Sequence, residues 1–130
     1  MLVERKEVLN EDKSVGYIEA IFNSDNVLKT TYFPSTERLY IAFSRGHTYS
    51  YGNVSPELYQ EFEKADSQGK FFHSRINNKR QHPYRSEFTL YPSEVQGLKK
   101  IVEDNKPEED DEDWIKRADE NQIDGELENE

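Results

Sequence analysis

"RLYIAFSRGHTYSYG" (residues 38–52) carries two alternating runs, 38–44 and 47–52, on either side of Arg45 and Gly46. Alternation of apolar and polar positions is the period of a half-buried strand, so the runs read as a hairpin. The length of its turn decides which side chains share a face. A two-residue loop of Arg45 and Gly46 sets Ala42 opposite Tyr49 and Tyr40 opposite Tyr51, and opposed residues share a face. Leu39, Ile41 and Phe43 then line one side with Thr48 and Ser50, while Tyr40, Tyr49 and Tyr51 line the other. A three-residue loop with a bulge moves the pairing by one and puts Tyr49 and Tyr51 beside Leu39, Ile41 and Phe43, as core. The two-residue loop is favoured, because Gly at its second position supplies the positive φ that such turns want.

Two further strands precede the hairpin. "VGYIEAIF" (15–22) alternates, and "NVLKTTYF" (26–33) is rich in β-branched and aromatic residues and ends at the turn formers Pro34, Ser35 and Thr36. Four strands with short links predict an antiparallel meander. The period then changes. Ser55, Pro56 and Glu57 supply a hydroxyl cap, a first-turn proline and an acid at the positive end of a helix. Leu58, Tyr59, Phe62 and Ala65 follow at helical spacing, for a face that packs on the sheet. Gly69 separates this helix from a short second one bearing Phe72 and Ile76, which Pro83 limits. Residues 86–91 are a candidate extra strand, and 92–105 read as a helix with a Ser93/Gln96 capping box and an apolar face of Val95, Leu98 and Val102. The fold class is α+β: a four-stranded antiparallel meander with two or three helices.

A chain of 130 residues has room for one domain and a tail. Residues 1–14 read as a charged N-terminal segment, 15–105 as the domain and 106–130 as an acidic disordered tail. No apolar run is long enough to span a bilayer, and the charged start is unlike a secretory signal, which points to a cytoplasmic protein. Cysteine is absent, which excludes disulfides, thiolate metal sites and cysteine nucleophiles. The net charge of −10 is unevenly placed. Residues 106–130 carry 12 Asp and Glu against Lys106, Lys116 and Arg117, leaving the rest close to neutral. Residues 70–85 hold Lys70, Arg75, Lys79, Arg80 and Arg85 and no acid.

The succession Ser24, Tyr32, Leu39, Phe43, Gly46, Tyr49, Tyr51, Val54, Tyr59, Phe62, Ala65, Ser67, Gly69, Phe71, Phe72, Ile76 resembles the KTSC domain, a module named for its place at the C-terminus of some lysyl-tRNA synthetases. Its mark is a Tyr-x-Tyr motif, here "YSY" (49–51), followed by Val54, a helix and the Ala-x-Ser-x-Gly segment "ADSQG" (65–69). The resemblance runs from Ser24 to Tyr84, about half the chain. Where the family usually has Pro directly after the Val, Ser55 intervenes before Pro56. The resemblance implies a fold more firmly than an activity. Members also occur as small stand-alone bacterial or phage proteins, and the synthetase context implies an association with RNA.

The strongest binding case joins the tyrosines to the basic stretch. Single-stranded nucleic acid is held by rings that stack bases and by cations that follow phosphates. Tyr40, Tyr49 and Tyr51 are the candidate stacking rings, and Lys70, Arg75, Lys79, Arg80 and Arg85 the candidate phosphate contacts. Single-stranded RNA or DNA is therefore the first candidate partner, although the overall negative charge opposes it. The bland reading is that the rings are core and the bases an ordinary solvated surface. Trp114, Ile115 and Ala118 have the spacing of a short amphipathic helix inside the acidic run, a candidate contact for a host or replication/transcription protein; docking on the chain's own body is the other reading. The alternative function is a protein-interaction or inhibitory module without nucleic-acid contact. His47, His73 and His82 have no sequence-local partners, and no P-loop or nucleophile elbow is present, so neither a catalytic residue nor a metal or other cofactor is expected.

Overall fold

The computed structural model describes residues 1–105. The acidic run, with its expected disorder and with Trp114, Ile115 and Ala118, lies outside the described residues. Six antiparallel strands form one meandering sheet in chain order: β1 Leu2–Leu9, β2 Val15–Phe22, β3 Val27–Phe33, β4 Arg38–Phe43, β5 His47–Tyr51 and β6 Tyr84–Thr89. Between β5 and β6 come α1 Pro56–Lys64, the single-turn α2 Gln68–Phe71 and a π-helical turn Phe72–Ile76, and α3 Pro92–Asp104 closes the chain. No helix among the described residues is long and apolar enough to cross a membrane.

The sheet thus has six strands where the sequence predicts four. β6 is the candidate strand of residues 86–91, beginning two residues earlier. β1 comes from the segment expected to lie outside the domain. Glu4, Arg5, Lys6 and Glu7 occupy its exposed middle, while Leu2, Val3 and Val8 are half-buried. Charges on an edge strand discourage pairing with other chains and also erase the apolar alternation that identifies a strand.

The hairpin differs from the favoured reading. Leu39 lies opposite Tyr51, Ile41 opposite Tyr49 and Ala42 opposite Thr48. This is the register of a three-residue loop, Ser44 to Gly46, closed by the Gly46 N–H donating to the Phe43 carbonyl at 2.7 Å. Gly46 has φ +96°, the left-handed third position of such a loop. A side chain there would also press on Val95 and on the Leu90 carbonyl, at 3.1 and 3.2 Å. Gly46 is therefore required by the longer turn as well, and its presence cannot separate the two registers.

Pairing register divides the sheet into two faces. On the first, Ile18, Ala20, Phe22, Val27, Tyr32, Leu39, Ile41 and Tyr51 meet Val54, Tyr59, Phe62, Phe72 and Ile76 in the main core. Tyr32 and Tyr59 stack with centroids 4.5 Å apart, and the Tyr32 hydroxyl donates to the Val54 carbonyl at 2.6 Å. The Ser55 hydroxyl accepts from the Leu58 N–H at 3.1 Å, so the expected cap starts α1 despite the inserted residue. Ser67 caps α2, and Gly69 lies inside that helix rather than before it. A Cβ at Gly69 would come within 2.7 Å of the Asn26 side chain, so glycine here permits the close approach of helix and loop.

The second face is covered at one end by α3, whose buried residues are Val95 and Val102. Its cap is Tyr91 rather than Ser93. Pro92 takes the first helical position, and Glu94 accepts from the Tyr91 N–H at 2.9 Å. The rest of this face carries Tyr17, Phe33 and Tyr40, with ring centroids 5.5 Å apart for Tyr17–Phe33 and 5.7 Å for Phe33–Tyr40.

Candidate nucleic-acid interface

The three-residue turn delivers Tyr49 and Tyr51 to the helix-covered face, at its β6 margin. Tyr51 is buried and Tyr49 half-buried. Both line an open cleft of about 330 Å³ with Phe43, Phe72, Asn77, Lys79 and Tyr84. The rings form a connected cluster. Tyr51 meets Phe72 edge-on at 5.2 Å and stacks near Tyr84 at 6.1 Å, while Tyr49 meets Phe43 at 6.1 Å and Tyr84 at 5.9 Å, both edge-on. Phe43 reaches Phe72 at 5.3 Å, which closes the ring of contacts. Tyr84 is the member most open to solvent, 44% exposed.

Lys79 stands over this cluster, its ammonium 5.4 Å from the Tyr84 ring centroid. A cation so placed is attracted by the ring's electron-rich face and remains free to meet an anion on its solvent side. The loop carrying it is pinned at several points. The His82 imidazole Nδ1–H donates to the Gly52 carbonyl at 3.0 Å, the Gly52 N–H donates to the Pro83 carbonyl at 2.9 Å, and Asn53 donates to the Gln81 carbonyl at 3.2 Å. The Asn78 side-chain oxygen accepts from the Arg80 and Gln81 N–H groups at 3.1 and 3.3 Å. A basic loop held by backbone contacts presents its lysine without needing an acid to place it.

Burial shifts the tyrosine hydroxyls. Loss of water raises the Tyr51 pKa well above its ordinary value, with Tyr49 and Tyr84 adding to the rise, and Tyr59 is raised chiefly by its burial. Tyr32 is pushed up to about 12, by desolvation first and by Glu37 and Glu57 next. A folded-state pKa above the unfolded value means that the neutral hydroxyl is favoured by folding. That contribution is complete below about pH 10, the unfolded tyrosine value, and is lost as pH rises toward the folded values. In an alkaline titration followed by tyrosinate absorbance, Tyr32, Tyr51 and Tyr59 are expected to ionise last and together with loss of tertiary structure; independent titration of all tyrosines near pH 10 in the folded protein would contradict the burial.

The structure brings together some of the sequence-predicted residues and separates others. Tyr49, Tyr51 and Lys79 share the cleft. Tyr40 does not join them: it lies on the opposite face and lines a different cleft with Phe33 and Phe88. Arg75 is bound to Glu61 at 3.0 Å and lies over the Phe71 ring, and Arg85 is bound to Glu87 at 3.1 Å. Lys70 borders a polar hollow with Asp66 and His73. Arg80 is exposed and forms no ion pair among the described residues. Tyr84, Phe43, Phe72 and Asn77 belong to the cleft without having been candidates. Tyr84 had a usable signal, since it is an aromatic residue inside the acid-free stretch that supplied five cations. No group of three or more His, Asp or Glu among the described residues could hold a metal ion.

Comparison with known proteins bears on the same region. A family model described as the KTSC domain matches residues 23–79, from the turn before β3 to Lys79. Among solved structures the chain is similar to a KTSC domain protein from Yersinia pestis, at 30% identity over 54% of this chain and 96% of that one, with a TM-score of 0.50. No curated protein matches. β1, β2, β6 and α3 lie outside the family match, so Tyr84 is an addition to the matched part of the cleft.

Proposed function

From the premise that this chain belongs to the KTSC domain family, we propose that it is a small, non-enzymatic accessory domain that binds single-stranded nucleic acid, RNA above all, in the cleft of Tyr49, Tyr51 and Tyr84. The supporting observation is the placement of Lys79 over a partly open aromatic cluster. A base can stack on an exposed ring while its neighbouring phosphate meets the ammonium, and such stacking contributes ~1–3 kcal/mol per base without demanding a sequence. The acidic segment beyond residue 105 regulates access, because a polyanion tethered to the domain competes with another for the same cations.

Fluorescence anisotropy with a labelled single-stranded oligonucleotide tests both parts. Lys79→Gln is expected to weaken binding equally for all sequences and to reduce the salt slope by about 0.7, the share of one phosphate contact on a single strand. Removal of residues 106–130 is expected to raise affinity at low salt, and unchanged affinity would remove the regulatory role. If neither the full chain nor the shortened one binds RNA or DNA at low salt, the nucleic-acid reading fails and the protein-interaction alternative takes its place.

A further inference from the structure

The cleft on the opposite face has no part in that reading. It measures about 380 Å³, and its mainly apolar lining of Phe33, Tyr40, Ala42, Phe88 and Leu90 also includes two threonines, Lys29 and Glu94. Phe88 is 57% exposed. A mainly apolar recess bordered by an exposed large ring calls for a covering group. We propose that the occupant is the chain's own Trp114 and Ile115, folded back from the acidic segment into this recess.

Reach permits it. α3 packs on this same face, with its first turn at the cleft through Glu94, and its last residue is Asp104. Its 13 residues span about 20 Å at 1.5 Å each. Trp114 stands nine positions after Asn105, so the intervening chain covers up to about 30 Å when extended, enough to return along α3. Charges suit this path in both directions. The six acids of residues 108–113 would run back past Lys99 and past Lys100, the latter paired with Asp104 at 3.4 Å, and Lys116 and Arg117 would arrive beside Glu94. The recess has room for an indole and an adjoining aliphatic side chain. Trp114 is the one tryptophan in 130 residues, so the occupant is also the reporter.

The test is tryptophan emission from the full-length protein, compared with a peptide of residues 106–130. Docking predicts a blue-shifted maximum and a severalfold lower acrylamide quenching constant than the peptide, both independent of protein concentration. Phe88→Asp, an exposed position at which folding is readily checked by circular dichroism, is expected to return emission and quenching to the peptide values. Three results would overturn the proposal. Peptide-like emission from the full chain would leave Trp114 for an external partner, concentration-dependent shielding would assign it to a second copy, and shielding unaffected by Phe88→Asp would place the indole elsewhere. None of these measurements uses nucleic acid, and with Trp114 docked the acids of residues 119–130 remain to compete at the Tyr49 cleft, so the result is read independently of nucleic-acid binding.

Discussion

Phe62→Ala is expected to lower the unfolding free energy by about 3–5 kcal/mol, the range for removing a large ring from a filled core. Phe62 is wholly buried, at 0% exposure. Its ring meets Phe22 edge-on at 5.4 Å, Phe71 edge-on at 6.0 Å and Tyr59 at 6.2 Å, so it joins β2, α1 and α2 through a single side chain. Its carbonyl accepts from the Ala65 N–H and from the buried Gln68 amide, contacts that alanine keeps only if the end of α1 holds its position. Small domains have about 5–15 kcal/mol of total stability, so the loss takes a large fraction of it. Urea denaturation followed by circular dichroism measures the change, and a midpoint within error of the parent protein would contradict the packing described for α1.

Tyr84→Ala has its large effect on binding instead. The ring is 44% exposed, sits at the start of an edge strand and carries Lys79 above it, so removal costs the fold little. It deletes both the accessible stacking surface and the support of the lysine. A loss of ~1–3 kcal/mol per stacked base corresponds to about 5- to 150-fold in the dissociation constant. Tyr40→Ala, on the other face, is the internal control when both substitutions are made in the protein shortened by residues 106–130, and there it is expected to leave affinity for single-stranded oligonucleotides unchanged. Equal effects of the two substitutions would show that the cleft is not where the strand lies. The measurement should be made at fixed, low ionic strength, since the electrostatic share of binding falls steeply with salt.

The central elements were legible because their local signals agreed. Alternation marked β2, β4 and β5, β-branched and aromatic content marked β3, and Ser55 with Pro56 marked α1 as soon as the period changed. The N-terminal strand was hidden by its position: at a sheet edge Glu4 to Glu7 are all exposed, and little apolar pattern survives. The hairpin register escaped for a different reason. Both turn lengths call for glycine at position 46, one as the second residue of the loop and the other as the third, so the residue that marks the turn carries no information about its length. The site inherited that ambiguity. Tyr40 and Tyr49 looked like neighbours on one face, yet the added turn residue sends them to opposite sides of the sheet. Of five nearby cations, Arg75 and Arg85 stand in ion pairs, Lys70 borders a different hollow, and Lys79 alone of the five lines the cleft.

Insertions and deletions will not be tolerated equally along this chain. The β1–β2 turn, exposed from Asn10 to Ser14, can change length with little consequence for the residues that follow. Between Phe43 and His47 a change of one residue reverses the inside and outside of β5, exchanging Tyr49 and Tyr51 for Thr48 and Ser50 in the core. At Ser44, Arg45 and Gly46 the fold therefore depends on the number of residues more than on the identity of the first two.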